Sequence, residues 1–366
     1  GLRIQQTSPG LGAVNIRIEG LRGRYSQILA DGLPLYGGQA SGTSLLQIPP
    51  LDLGQVEVLK GVSSALYGPS ALGGVVNFVS RRPDGAHDLI LNQTSRDETD
   101  LALWWSGEPA KTGWSYSVVA NLNRQSAHDI NGDGWADFPE FKRGSVRPRL
   151  YWKGDDRNDL FITLGATVED RLGGTIDGGV VPAGQPGAAS FTEDDNTHRY
   201  DAGVIGHWGL TDATTLTFKA SDAEHIQHQI IGADDELSHA NTTLLEVTVD
   251  GAAGRHSWVA GAAFQQDRYR NSTLPGFDYQ YSVPALFAQD EYKIAPSLTL
   301  STSARLDHHS RYGTILSPRW ALLWKPGGSG SPWRVRTSFG TGYFAPTSCF
   351  FLAATTSSCM LAGTRA

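Results

Sequence analysis

An α/β unit followed by an antiparallel transmembrane β barrel is the fold class this sequence predicts, and three observations predict it. From about Asp88 onward, apolar and polar residues alternate in runs of about nine to eleven, the length a tilted strand needs to cross a bilayer. The connections between those runs alternate between short and long, as in up-and-down membrane barrels. Ahead of the runs, Val56–Val79 reads as strand, tight turn and second strand, a compact unit of a different kind.

Composition agrees. The 366 residues include 43 Gly and 10% aromatics but only 18% charged residues, which suits strands and turns better than helices. A net charge of −7 supplies no basic stripe, so nucleic acid is not expected as a partner. No apolar run reaches the roughly eighteen residues of a membrane helix, whereas a β barrel needs none.

In the first unit, Val56–Lys60 alternates and is stopped by Gly61. Ser63 and Ser64 suit the start of one helical turn over Ala65–Tyr67, which Gly68-Pro69 breaks. Gly73-Gly74 allows a sharp turn before the buried strand Val75–Val79. Upstream, Asp31-Gly32 fits a hairpin turn with positive φ, and Pro34 fixes φ just beyond it.

These residues, taken in order, carry a resemblance. Ile16–Arg24, Gln27–Tyr36, Val56–Gly61, Ala65–Gly68 and Ala71–Asn77 resemble the linked motifs of the plug domain of TonB-dependent outer-membrane receptors. The motif positions here are Arg22, Asp31, Gly32, Glu57, Lys60, Gly61, Tyr67, Gly68, Gly73, Gly74 and Asn77. On this resemblance, residues 1–83 are the C-terminal part of a plug, with Arg81–Gly85 as the boundary. Residues 84–347 are then the N-terminal part of the barrel, and 348–366 are an atypical tail.

The resemblance implies an outer-membrane receptor with its plug in the barrel lumen and its long loops outside the cell. It implies energy-coupled uptake of a scarce solute, a ferric siderophore, cobalamin or similar metal chelate, driven by the TonB complex. The apex loop with Tyr36 and Gln39 would then touch the solute. Arg22, Arg24, Glu57 and Lys60 are surface charges by default, but inside a plugged barrel they are expected to find partners on the lumen wall.

The barrel runs are explicit. Trp114, Tyr116, Val118, Ala120 and Leu122 share one face, opposite Ser115, Ser117, Asn121 and Asn123. Leu160–Val168, Leu298–Leu306 and Trp333–Tyr343 repeat the pattern. Gly154–Asn158, Thr211–Ala213 and Ala295–Ser297 are short turns; Ser126–Arg143, Gly173–Arg199, Gly232–Asn241 and Thr273–Pro284 are expected long loops. Trp104, Trp105, Trp152, Trp208, Trp320 and Trp324 are expected to supply interfacial girdles. The runs amount to about thirteen strands, against 22 in plugged transporters of this kind. An incomplete barrel would leave bare edges in lipid, so the chain alone is not expected to insert or transport. Cys349, Cys359 and Met360 fall in the tail, which suggests an out-of-frame or truncated end more than an exported disulfide.

The sharpest local motif is Asp129–Glu140, which matches the twelve-residue calcium-loop template. Asp129, Asn131, Asp133, the Trp135 carbonyl, Asp137 and Glu140 occupy its ligand positions, with Gly134 at the sharp turn. No helices flank it, and Pro139 precedes the bidentate position. Calcium in an exposed external loop is one expectation; an ordinary acidic loop is the other. His225 and His228 lie three apart on a strand and face apart, as do the neighbours Glu169-Asp170 and Asp290-Glu291. Nucleophile-elbow, phosphate-loop and zinc-protease motifs are missing, so an enzyme is not expected. A passive porin or adhesin-like barrel with an N-terminal binding module is the rival reading, and a degraded gene product without a transport role is a third.

Overall fold

A computed structural model describes residues 2–8, 11–34, 47–60, 66–68, 71–109, 112–176, 190–328 and 330–346. Its strands form three sheets. The first unit holds β1 (Leu2–Ser8), β2 (Ala13–Ile18) and β3 (Leu21–Arg22) in one antiparallel sheet. β4 (Ser26–Ala30), β5 (Leu33–Pro34), β6 (Leu53–Lys60) and β7 (Gly74–Ser80) form a second, in the order β5-β4-β7-β6. β4 runs parallel to β7, while β5 and β6 are antiparallel additions. Helical structure among the described residues of this unit includes 3-10 turns at Gly23–Tyr25 and Pro50–Asp52. The helical turn expected at Ala65–Tyr67 begins outside the described residues, as does Gly61. Ile16, Ile18 and Val76 pack with Phe78, joining the two sheets in one apolar core.

The third sheet has thirteen antiparallel strands in sequence order, as the run count anticipates. They are β8 (His87–Gln93), β9 (Thr99–Gly107), β10 (Trp114–Gln125), β11 (Glu140–Lys153) and β12 (Asp159–Gly174). β13 (Thr192–Thr211), β14 (Thr214–Ile231), β15 (Asp234–Ala253) and β16 (His256–Asn271) follow. β17 (Tyr279–Ala295), β18 (Leu298–His309), β19 (Gly313–Trp324) and β20 (Val335–Gly340) complete it. β8 and β20 are its two edges, so the barrel is open among the described residues.

Exposure along these strands is inverted relative to a water-soluble protein. On β12, Leu164 is 52% exposed, whereas Glu169 and Arg171 on the opposite face are 1% and 3% exposed. Leu286, Leu306 and Leu316 lie side by side on β17, β18 and β19, and all three are exposed. A soluble sandwich would bury such a row and hydrate the charges. The wall is therefore a membrane barrel wall, apolar face outward and polar face inward.

Three expectations need correction. Gly232–Asn241 is not a long loop, because β14 and β15 meet at a tight turn with Gly232 at φ 61°. Likewise the connection after β16 is shorter than expected, since β17 already starts at Tyr279. Trp104 is not a girdle residue: it is fully buried, with the Arg81 guanidinium 4.7 Å from its ring centroid. Trp105, Trp208, Trp320 and Trp324 are exposed on the wall, as a girdle requires.

Candidate functional site

The plug motif builds a lattice of its own. Asp31 and Gly32 take φ of 51° and 79°, the left-handed pair that a two-residue hairpin turn requires. Asn77 Oδ1 accepts the Gly32 N–H at 2.9 Å, and Asn77 Nδ2 donates to Glu57 Oε2 at 3.0 Å. Asp31 Oδ1 accepts both the backbone N–H and the hydroxyl of Ser80 at 2.9 Å. Three motifs separated along the chain are thus tied across β4, β7 and β6. Gly74, at φ 128°, passes so close to β6 that a Cβ would overlap the Leu59 carbonyl oxygen. Gly73 donates its N–H to the Tyr25 carbonyl at 2.6 Å.

Among the described residues, the partners of Glu57 and Lys60 lie within the plug and not on the wall strands β8–β20, where they were expected. Glu57 is held by Asn77 and Gln55, and Lys60 pairs with Glu19 at 3.5 Å, all within the plug. Tyr67 lies against the core of Leu29, Ala71 and Val75. Burial, then the charges of Glu57 and Glu246, push its hydroxyl above the ordinary tyrosine value. Gly68, at φ 77°, lies beside Arg305 of β18. Arg22 sits on β3, paired with Arg17; its side chain and that of Arg24 lie outside the described residues, as do Tyr36 and Gln39.

Among the described residues, Asp52 and Arg149 of β11 form a buried ion pair between plug and wall. Their bidentate pair has one arm at 2.8 Å, and both side chains are buried, at 8% and 2% exposure. Arg143, Arg147 and Arg149 share the inward face of β11, a basic row visible as alternate positions in the sequence but unremarked there. Arg143 and Arg171 flank Glu169, and Arg171 Nη1 donates to the Leu11 carbonyl of the plug at 2.7 Å. Arg147 reaches over β12 to make two bonds with Asp201 of β13, at 2.5 and 2.7 Å. Gly165 makes that crossing feasible, since a Cβ there would collide with the Arg147 guanidinium. Apolar contact supports the seam: Leu33 packs with Tyr151, Phe161 and Ile205.

The linker between plug and wall is also clamped. Arg81 pairs with Asp84 and Asp88 at 2.6 Å each, and Arg82 lies over the Tyr151 and Phe161 rings. The Arg81 guanidinium and the Ala86 N–H hold the Asp84 carboxyl well below the usual carboxylate range.

In the loop after β10, the side chains at the calcium-template positions fold the backbone. Asp129 accepts the Gly132 and Gly134 N–H groups at 2.7 Å, Asn131 accepts that of Asp133 at 2.9 Å, and Asp133 accepts that of Trp135 at 2.9 Å. Asp137 accepts the Ile130 N–H at 2.8 Å, while Glu140 has moved onto β11 beside Lys142. No three His, Cys, Asp or Glu side chains converge to hold a metal among the described residues.

A membrane wall with a separate domain seated against its polar face defines a plugged outer-membrane receptor. The chain belongs to the TonB-dependent receptors. Residues 1–75 match the TonB-dependent receptor plug domain, and 80–349 match the TonB-dependent receptor-like β barrel. It is 25% identical over 351 residues to an iron-regulated outer membrane virulence protein of Vibrio cholerae, covering 91% of this chain and 51% of that one. It is 26% identical over 235 residues to the ferrioxamine receptor of Yersinia enterocolitica, covering 63% and 30%. The fold matches the crystal structure of the siderophore receptor PirA from Acinetobacter baumannii with a TM-score of 0.74 and 17% identity, over 94% of this chain and 57% of that one. The chain spans about half the length of the first curated relative.

Proposed function

We propose that the receptor to which this chain belongs lies in the outer membrane and takes up a ferric siderophore, with TonB supplying the energy. The observation that supports this most is the buried Asp52–Arg149 pair, which seats the plug against the polar wall. A plug held by a desolvated ion pair does not leave by thermal drift, so passage needs work from outside. The relatives named for iron regulation and ferrioxamine favour an iron chelate over cobalamin. The longer connections at the β10–β11 and β12–β13 end would face outward, since the chain enters the wall from the plug at the other end.

The test is uptake in a receptor-deleted host carrying the receptor's own gene. Radiolabelled iron presented as one ferric siderophore should accumulate, and a protonophore or loss of TonB should abolish it. Accumulation of cobalamin alone would replace the substrate. Uptake that continues without proton-motive force would put a passive porin in its place.

A further inference from the structure

We propose that the seam between plug and wall binds one small monovalent anion of the chloride type, in the cavity beside Arg149 and Arg199. Three guanidinium groups meet there on the inward face of the wall. Arg149 stands opposite Thr163 and Gly203; four positions earlier on β11, Ser145 stands opposite Thr167 and Arg199. Arg147 lies between them on β11, with its guanidinium on Asp201. Arg199 Nε is 3.9 Å from the same carboxylate, and Arg149 holds Asp52. Three cations thus share two carboxylates. Residues 1–83 bring no other acid to the seam. Of their four acidic residues besides Asp52 counted in, Glu19 pairs with Lys60, Asp31 accepts the Ser80 hydroxyl, and Glu57 is held by Asn77 and Gln55. Any further partner that the plug gives these arginines is therefore neutral. Further along the wall, Arg143 and Arg171 are matched by Glu169 and by Asp195, which stands opposite Arg171.

Between these groups lies a cavity of about 30 Å³, lined by Asp52, Ser145, Arg147, Arg149, Thr167 and Arg199. One water-sized group needs about 10–15 Å³ by the same measure, so the space suits a single halide and excludes phosphate or a carboxylate-bearing solute. Asp52, Arg149, Thr167 and Arg199 are all buried within this chain. Arg149 Nε is buried and has no hydrogen-bond partner among the described residues, since Asp52 takes only the two Nη groups. Gln47 also lines the cavity; its Nε2 donates to Thr197 Oγ1 at 3.1 Å, and its Oε1 is buried without a partner. A half-turn of that amide lets the Thr197 hydroxyl donate to Oε1 and frees Nε2 for the anion. A buried excess of positive charge is costly unless it is matched, and a charge-assisted bond to an anion matches it better than water does. An anion held by Arg149 and Arg199 of the wall and by Gln47 of the plug is a further polar tie across the seam, so plug attachment strengthens with chloride.

The test uses the receptor expressed from its own gene and purified from the outer membrane. Crystals grown in sodium bromide and measured at the bromine edge should show an anomalous peak within hydrogen-bonding reach of Arg149 Nε. A peak there that is missing, or bromide at surface positions as an adventitious ion only, would overturn the site. In solution, limited proteolysis of the plug is timed in sodium chloride and in sodium gluconate of equal ionic strength, gluconate being too large for the cavity. Cleavage should be slower in chloride by roughly threefold or more, as mass action requires of an ion bound only to the seated plug. Equal rates in the two salts would overturn the proposal. Thr167→Asp sets a fixed carboxylate beside Arg199, whose Nη2 lies 3.5 Å from the Thr167 hydroxyl, and should leave the plug equally protected in both salts. Chloride dependence that persists in this variant would place the effect elsewhere and overturn the site. Should the variant fail to assemble, the bromide peak in the parent receptor decides.

Discussion

The plug and the wall obey the same hydrophobic rule in opposite senses. In the plug, Ile18, Val75 and Val76 are buried and the charged side chains of β6 face outward, as in any water-soluble domain. In the wall, Glu169, Arg171 and Asp307 are buried, while Leu286 is 63% exposed. Both are strand proteins with alternating side chains. The difference is the second solvent: one face of the wall meets lipid, so its charges turn inward, where they pair with one another and, at Arg149, with Asp52 of the plug. That inversion is what gives the plug its polar anchor points, Arg149 and Arg171.

The largest expected effect breaks the fastening. Arg149→Met should leave the Asp52 carboxylate buried and unpaired, lowering the stability of the plug–wall seam by about 3–5 kcal/mol. Limited proteolysis of the plug in folded receptor would read it. A second change, Asp52→Leu in the same protein, should restore most of the protection, since a matched apolar pair needs no counter-charge. Unchanged protection in Arg149→Met would mean that the pair is well hydrated and that the inner wall is not the dry surface described.

A somewhat smaller effect tests the outer face. Leu286→Arg, within the row shared with Leu306 and Leu316, should cost about 2–4 kcal/mol if that row lies near the bilayer centre. Trp324→Arg, at the end of β19, should cost no more than about 1 kcal/mol, because its head can reach the interface. Denaturant unfolding in lipid vesicles compares the two. Equal costs would dissolve the contrast between band and rim.

Much of the wall was legible from the amino acids, because alternation reports two different solvents. Where both faces are wet the signal fades. Gly232–Asn241 reads as loop for that reason, although β15 is already paired there. Asn241, assigned to a connection by sequence alone, donates with Thr243 to the Asp222 carboxylate across these strands. Trp104 reads as a girdle residue by composition, and only the third dimension sets it under Arg81. The plug motif was legible as a pattern but not as a mechanism. That Asn77 holds Gly32 and Glu57 while Asp52 reaches Arg149, 97 positions away, depends on how the sheets fold together.

The smallest expected effect concerns the loop after β10. Its carboxylates spend part of their capacity on backbone N–H groups, and each retains lone pairs for a cation. Asp129, Asn131 and Asp133 are already turned by those bonds, whereas Asp137 and Glu140 would have to swing in. Were the loop to take calcium, that reorganisation would hold the affinity to the range of about 0.1–1 mM found for exposed extracellular modules. Trp135, whose ring lies 5.7 Å from that of Phe191, reports the change by fluorescence. Calcium added to about ten times its dissociation constant should stabilise the loop by about 1.4 kcal/mol, and Asp129→Asn with Asp133→Asn should remove the response. A flat titration to about 10 mM, well past that range, would leave the template as a turn-forming sequence whose acidic groups serve only the backbone. Either result bears on the inversion: charges on the inner wall are matched by one another and by the plug's Asp52, and those in the loop after β10 are left to water or to an ion.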